Sequence, residues 1–327
     1  MRLPEALRLV RGAVSTKDLV TVLTHLAIKD ASVTSFDGAM SIMAPCDDIG
    51  HLSCTVPADR FIAAIDACES ATPTITLVDG ALHVTATRVA IKMPTGDIAA
   101  FPFADSLSVK MRVMPHLLDV LRELRPFVGN DASRPWASGI LFRENVAAAT
   151  NNTIVALKTL PSKVPQEFIL PLFAVDELLR IGQEPKVYAL DGNNVAFYLE
   201  RGAVLKSRLI DGAWPRSSVA LVQELSEGAA FGPVPDGLAK GIETLLPFVA
   251  DLKTPIIEFA DTLVRTLDAD VQGTLSGFSN LGKCRFRAEP LITTLHSAVY
   301  ADFSRFPRVP WRNSDASLCG VLVGMLL

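Results

Sequence analysis

Leu77-Val78-Asp79-Gly80-Ala81-Leu82 returns as Ala189-Leu190-Asp191-Gly192-Asn193-Asn194, an offset of 112 residues. In each, apolar residues lead into Asp-Gly, a dipeptide suited to the left-handed backbone of a tight hairpin. Further out, Val56-Pro57-Ala58 recurs 114 residues on as Leu170-Pro171-Leu172, and Ala288-Glu289-Pro290 stands near the third expected place. Arg8 and Arg11 recur at the same offset as Arg122 and Arg125, again three apart. One small α+β unit used three times builds a curved or closed array, not a single enzyme core.

The period divides the chain at residues 1–107, 108–222 and 223–327. Each part reads as helix, strands, helix, strands. In the first, residues 4–14 form a helix with Leu3, Leu7, Val10 and Val14 on one stripe and Arg8 and Arg11 off it. Strands at 32–36 and 39–44 meet at Asp37-Gly38, Pro57 opens a helix to about Glu69, and strands follow at 75–78, 81–86 and 89–93. The second part places a helix at 115–128, with Leu117, Leu118, Leu121 and Leu124 on its apolar face, and another at 172–181. Its strands fall at 138–142, 146–149, 154–157, 186–190, 195–199 and 205–209. The third and least regular part offers helices at 235–248 and 289–296, and strands at 256–259, 263–269, 272–276 and 318–322. Linkers are expected at 104–108 and 224–232.

Composition excludes several classes. Hydrophobic residues at 49% and charged residues at 20% describe a globular chain. No apolar run reaches the roughly 18 residues of a membrane helix, and the arginine-bearing start lacks a signal-peptide layout. A cytoplasmic protein without membrane contact is expected. Five cysteines without a C-x-x-C pair read as buried reduced thiols, and five histidines show no metal-ligand spacing. No metal or cofactor is therefore expected. The net charge of −4 divides as −4, +3 and −3 over the three parts (8 basic and 12 acidic, 14 and 11, 9 and 12). Such a chain still binds nucleic acid if its cations converge on one face. Catalysis finds little support: Asp47 and Asp48 would point to opposite faces of a strand, Gly192 and Gly202 sit at turns, and Ser138 lacks a nucleophile-elbow pattern.

With these pieces placed, the chain resembles the bacterial DNA polymerase sliding clamp, the β subunit of DNA polymerase III, over all three parts. The most specific stretch runs from Ser138-Gly139-Ile140-Leu141-Phe142 through Ala148-Ala149-Thr150-Asn151-Asn152 and Phe168-Ile169-Leu170-Pro171. It closes with Lys206-Ser207-Arg208-Leu209-Ile210-Asp211-Gly212-Ala213-Trp214-Pro215, and the apolar end from Val321 to Leu327 looks like the family's tail. The chain is shorter than typical members, which a phage-encoded clamp would fit. The resemblance implies three repeated DNA-clamp domains, each with two helices packed on antiparallel sheets. Two chains would form a ring around duplex DNA as a polymerase processivity factor, without catalysis. The alternative is a clamp-like decoy or regulator that binds replication factors without closing on DNA.

The resemblance also implies sites. Arg8, Arg11, Arg122 and Arg125 fall on helices expected to line the pore, with Lys240 and Glu243 at the third equivalent place. Taken alone, arginines three apart are as readily a solvated face. Lys17, Arg134 and Trp136 match further DNA-contacting positions, although Trp136 would equally suit packing under a loop. A groove for a short peptide of polymerase or clamp-loader subunits would be walled by Ala137, Thr150, Asn152, Thr153, Ile154, Val155, Val222, Val321, Val323 and Met325. Asn151-Asn152-Thr153-Ile154 departs from the family's D-G-H-R, and Gly324 and Leu326 replace a proline and an arginine. Phe101 and Phe103 would meet Leu246 and Phe248 across a homodimer interface.

Overall fold

The computed structural model describes residues 1–17, 19–68, 72–104, 110–249, 255–267, 272–279 and 281–326. Most of the expected linker at 104–108, the helix end at Glu69 and the strand end at 268–269 lie outside the described residues. The first helix, α1 (Leu3–Val10), continues as a 3-10 turn over Arg11–Ala13. Strands β1 (His25–Lys29), β2 (Ser32–Phe36), β3 (Met40–Pro45) and β4 (Cys54–Pro57) precede α2 (Ala58–Asp66). Then come β5 (Thr74–Val78), β6 (Ala81–Ala86) and β7 (Val89–Pro94), with Asp79-Gly80 in positive φ at the first hairpin. Pro57 is the N-cap of α2, one position before the expected helical turn.

The same succession follows twice more. α3 (Leu117–Leu124) with a 3-10 turn at Arg125–Phe127 leads to β8 (Gly139–Arg143), β9 (Val146–Thr150), β10 (Ile154–Thr159) and β11 (Phe168–Pro171). α4 (Leu172–Ile181) then precedes β12 (Val187–Asp191), β13 (Asn194–Tyr198) and β14 (Val204–Arg208). The third round is preceded by α5 (Arg216–Glu227) and the short β15 (Gly232–Pro233). It comprises α6 (Leu238–Leu245) with a 3-10 turn at Leu246–Phe248, then β16 (Ile256–Ala260), β17 (Leu263–Thr266), β18 (Thr274–Ser276) and β19 (Lys283–Arg287). Last are α7 (Ala288–Ser297), β20 (Tyr300–Ala301), β21 (Arg308–Arg312) and β22 (Leu318–Val323). The first helix of each round ends in a tightened turn, and in the second and third rounds a proline there (Pro126, Pro247) ends the α-helical ladder.

The expected linker at 224–232 is partly helical, since α5 runs to Glu227. Val219, Val222 and Leu225 recur every three residues and fold that segment onto a sheet, where Val222 is fully buried.

By internal contacts the chain forms two compact units, Met1–Leu117 with Glu177–Leu209, and Leu118–Asp176 with Ile210–Leu327. In the first unit β3 pairs with β14 through Met43↔Val204 to Met40↔Ser207, giving the sheet order β12-β13-β14-β3-β2-β1-β4. In the second, β10 pairs with β22 through Ile154↔Leu322 to Lys158↔Leu318, giving β11-β8-β9-β10-β22-β21-β20-β15. Each large sheet therefore joins the leading strands of one round to the trailing strands of another. The remaining sheets are β5-β6-β7 in the first unit and β18-β17-β16-β19 in the second.

The helices bury their apolar stripes against these sheets. Leu3, Leu7 and Val10 of α1 pack with the core of the first unit, and Leu117, Leu118, Leu121 and Leu124 are all buried as their spacing predicts. In the second unit Phe142 stacks on Phe168 at 4.8 Å and Phe127 on Trp311 at 5.3 Å. Gly320 admits the Trp311 ring, since a Cβ there would lie 2.6 Å from it.

Candidate functional site

In the first unit, α1 is anchored at both ends, which fixes where its cations point. The Leu3 N–H donates to the Asp48 carboxylate at 2.8 Å, while Asp47 lies 3.6 Å from the Met1 ammonium. Asp47 and Asp48 stand in a 3-10 turn, not in a strand as the sequence suggests, and they serve the start of the helix. At the other end Arg180 donates to the carbonyl oxygens of Arg8 and Leu9, both at 2.9 Å, and to both carboxylate oxygens of Glu177. Glu177 is buried, and Gly12 lies against it so closely that a Cβ would sit 2.0 Å from Oε1. Arg8 and Arg11 are exposed and, among the described residues, make no ion pair. Lys17 is exposed in the following loop, near the exposed Leu19 and Val20.

In the second unit the equivalent arginines are exposed but occupied. Arg122 donates to Asp119 at 2.7 Å. Arg125 forms a two-pronged pair with Asp176, at 2.8 and 3.3 Å. Lys240 is exposed on α6, and Glu243, one turn along, meets His296 at 2.8 Å. Arg134 donates to the Asn152 side-chain oxygen at 2.7 Å, with Asp131 at 4.0 Å. Hydrogen bonds from the Ser133 hydroxyl and N–H hold the Asp131 carboxyl below its ordinary range. Trp136 is half-buried and packs edge-on against Trp214 at 5.2 Å, so part of its ring serves the core and part remains accessible.

The ten groove residues separate into two groups. Ala137, Thr150, Ile154, Val222 and Val321 are buried. Val222 from α5 meets Val321, Leu141, Ala148, Leu157, Ile169 and Trp214 in one apolar cluster, and Val155 packs at its edge. The Trp214 indole N–H donates to Ser218 at 2.8 Å, tying the cluster to the first turn of α5. This helix covers that face of the sheet, because its valine and leucine spacing demands burial. Asn152, Thr153, Val155, Val323 and Met325 remain accessible. Val323 donates its N–H to the Thr153 oxygen at 2.8 Å, so the turn before β10 and the tail after β22 lie side by side.

Beyond Val323 the tail crosses to the four-stranded sheet. Gly324 donates to the Pro307 oxygen at 2.7 Å and Met325 to the Arg285 oxygen at 2.8 Å. Met325 and Leu326 border a cleft of about 700 Å³ whose other walls include Phe306, Arg265 and Arg285. Glu258 is buried between those arginines and accepts from both.

Of the expected interface residues, Phe101 is buried in its own unit, where Asp97 caps the 3-10 turn Ile98–Ala100 immediately before it. Phe103 packs on Phe101 at 5.0 Å but is 41% exposed, and Phe248 is 56% exposed. Leu246 is half-buried.

Such a set of groups can hold phosphates weakly and a peptide through apolar contacts. Among the described residues no three His, Cys, Asp or Glu side chains gather to hold a metal. No described helix is long and apolar enough to cross a membrane.

No protein-family model matches the chain, and no curated protein does. Solved structures do. The β subunit of DNA polymerase from Streptococcus pyogenes matches with a TM-score of 0.82 at 16% identity, over 99% of this chain and 97% of that one. The DNA polymerase sliding clamp of Bacillus subtilis matches at 0.80 and 15%, over 99% and 97%. The Helicobacter pylori β clamp, solved bound to a DNA ligase peptide, matches at 0.78 and 16%, over 99% and 98%. The chain has the fold of these clamps from end to end.

Proposed function

We propose that this chain, which carries the sliding-clamp fold, is a DNA polymerase processivity factor that closes as a head-to-tail homodimer around duplex DNA. The observation that carries the reading is a count of strand edges. Three rounds of the repeat give three leading edges (β3, β10, β18) and three trailing edges (β14, β22, β7). Two pairs are joined within the chain, β3 with β14 and β10 with β22. The edges of β18 and β7 have no strand partner among the described residues. A second copy completes the series twice, β7 of one chain to β18 of the other, and the sequence of seams then closes.

The repeats at 1–107, 108–222 and 223–327 are the three domains of this reading. Exposed Arg8, Arg11, Lys17 and Lys240 face the DNA, with Arg122, Arg125 and Arg134 behind their acidic partners. Phosphate contacts this few give dissociation constants of about 10⁻⁴ to 10⁻⁶ M, too weak to retain a polymerase. Encirclement replaces affinity by topology, and loose contacts then favour sliding. Val323, Met325 and the turn at Asn152 are the accessible part of the partner groove, where a short peptide of a polymerase or a clamp loader docks. The protein does no chemistry on DNA and works in the cytoplasm, without cofactor or metal.

Light scattering over a concentration series, with retention on nicked circular DNA before and after linearisation, tests the reading. A species of twice the chain mass, held on circles and lost from linear DNA, is expected. A monomer at every concentration that no loader retains on circles overturns it in favour of a decoy that does not close.

A further inference from the structure

Arg122 and Arg125 carry their own anions. Asp119, one turn before Arg122 on α3, accepts from it at 2.7 Å, and Asp176 on α4 takes Arg125 in a two-pronged grip. All four side chains are well exposed, between 43% and 63%. Burial therefore does not require these pairs. An Arg–carboxylate fork reproduces the planar geometry by which arginine holds a phosphate, so Asp176 occupies the donors a DNA strand would use. Arg8 and Arg11, on the equivalent helix of the first round, make no ion pair among the described residues. The repeat thus places two kinds of arginine pair at one position: open in the first round, occupied in the second.

We infer that Asp119 and Asp176 act as built-in phosphate competitors that attenuate the DNA grip of Arg122 and Arg125. The inference rests on the reading of α3 as a DNA-facing helix. On DNA each arginine exchanges a carboxylate for a phosphate, so the contact yields little net attraction. Each exchange is also reversible at low cost. For a sliding ring the consequence is a flatter path: the second round keeps orientation without adding friction, and the open pair on α1 supplies most of the attraction.

The experiment measures binding of a fluorescein-labelled duplex of about 30 base pairs by anisotropy, across a salt series, for the full-length protein. Asp119→Asn and Asp176→Asn keep shape and remove charge. Combined, they are expected to raise low-salt affinity by roughly two- to thirtyfold, the range of two exposed ion pairs. They should also steepen the slope of log K against log salt by up to about 2. Arg122→Ala with Arg125→Ala should weaken binding and flatten the slope. If the arginine variants weaken binding while the asparagine variants leave affinity and slope unchanged, the attenuation is refuted and the DNA-facing helix stands. If neither set changes binding, α3 does not face DNA and both readings fall.

Discussion

The Arg134 guanidinium donates to the Asn152 carboxamide oxygen at 2.7 Å, tying the loop before β8 to the turn between β9 and β10. Asn152 suits that turn because it accepts the left-handed backbone, φ 70°, at small cost. Under the proposed function one of these residues meets DNA and the other borders the partner groove, so each restrains the other. Asn152→Ala should cost about 1–2 kcal/mol in stability, mostly from the left-handed backbone that alanine tolerates poorly and little from the solvated pair. It should also strengthen binding of a primed template by freeing Arg134, and Arg134→Ala should weaken it. Anisotropy with primed and fully duplex probes reads both effects.

The two groups of groove residues answer differently to charge. Val323→Glu and Met325→Glu act on accessible side chains, so the fold should hold while capture of a polymerase-derived peptide is lost. Val321→Asp and Val222→Asp place a carboxylate in the closed cluster under α5 and should unfold the second unit or cost at least about 3 kcal/mol. Thermal unfolding beside a peptide-binding assay separates the pairs. Equal peptide affinity in the Val323 and Met325 variants would remove those residues from the groove.

Gly12 has no room for a side chain. Gly12→Ala would drive a methyl into Glu177 and break the hold of Arg180 on the carbonyls that end α1. A loss of about 2–4 kcal/mol is expected in urea unfolding, in the range for a disrupted buried charge pair. Arg180→Ala should reproduce much of that loss without any steric conflict.

Glu258 makes the second unit sensitive to acid. Burial raises its pKa, but the hydrogen bonds from Arg285 and Arg265 outweigh burial and hold the carboxyl below its ordinary 4.5. A depressed folded-state value contributes stability above the unfolded value, which is lost as pH falls through the folded one. Stability should therefore decline below about pH 4.5. Glu258→Gln should be less stable at neutral pH and show a shallower acid limb in denaturant midpoints taken from pH 7 to pH 3.

The helices that open each round were legible because leucines and valines recur at helical spacing over a short segment. The strand pairs were legible where Asp-Gly joins them. α5 was not: Pro215-Arg216-Ser217-Ser218 reads as a loop, and only Val219, Val222 and Leu225 hint at the face it buries. Missing that helix concealed the burial of Val321, because a strand pattern tells which face a residue takes and not what covers it. The Asp119 partner of Arg122 could be read three positions upstream. Asp176 could not be read as the partner of Arg125, since the two lie 51 positions apart and the chain between them must fold to bring them together.

The edge of β7, without a strand partner among the described residues, also bears on solubility. A head-to-tail join does not limit itself to two copies: unless each seam turns the chain by a half-turn without rise, successive chains add end to end into a filament. β7 carries Lys92 and ends at Pro94, and β18 is only three residues long. A charge, a proline and a short partner discourage indiscriminate strand addition. Lengthening β18 or removing Lys92 would therefore trade a discrete assembly for fibres, visible as turbidity well before any loss of folded structure.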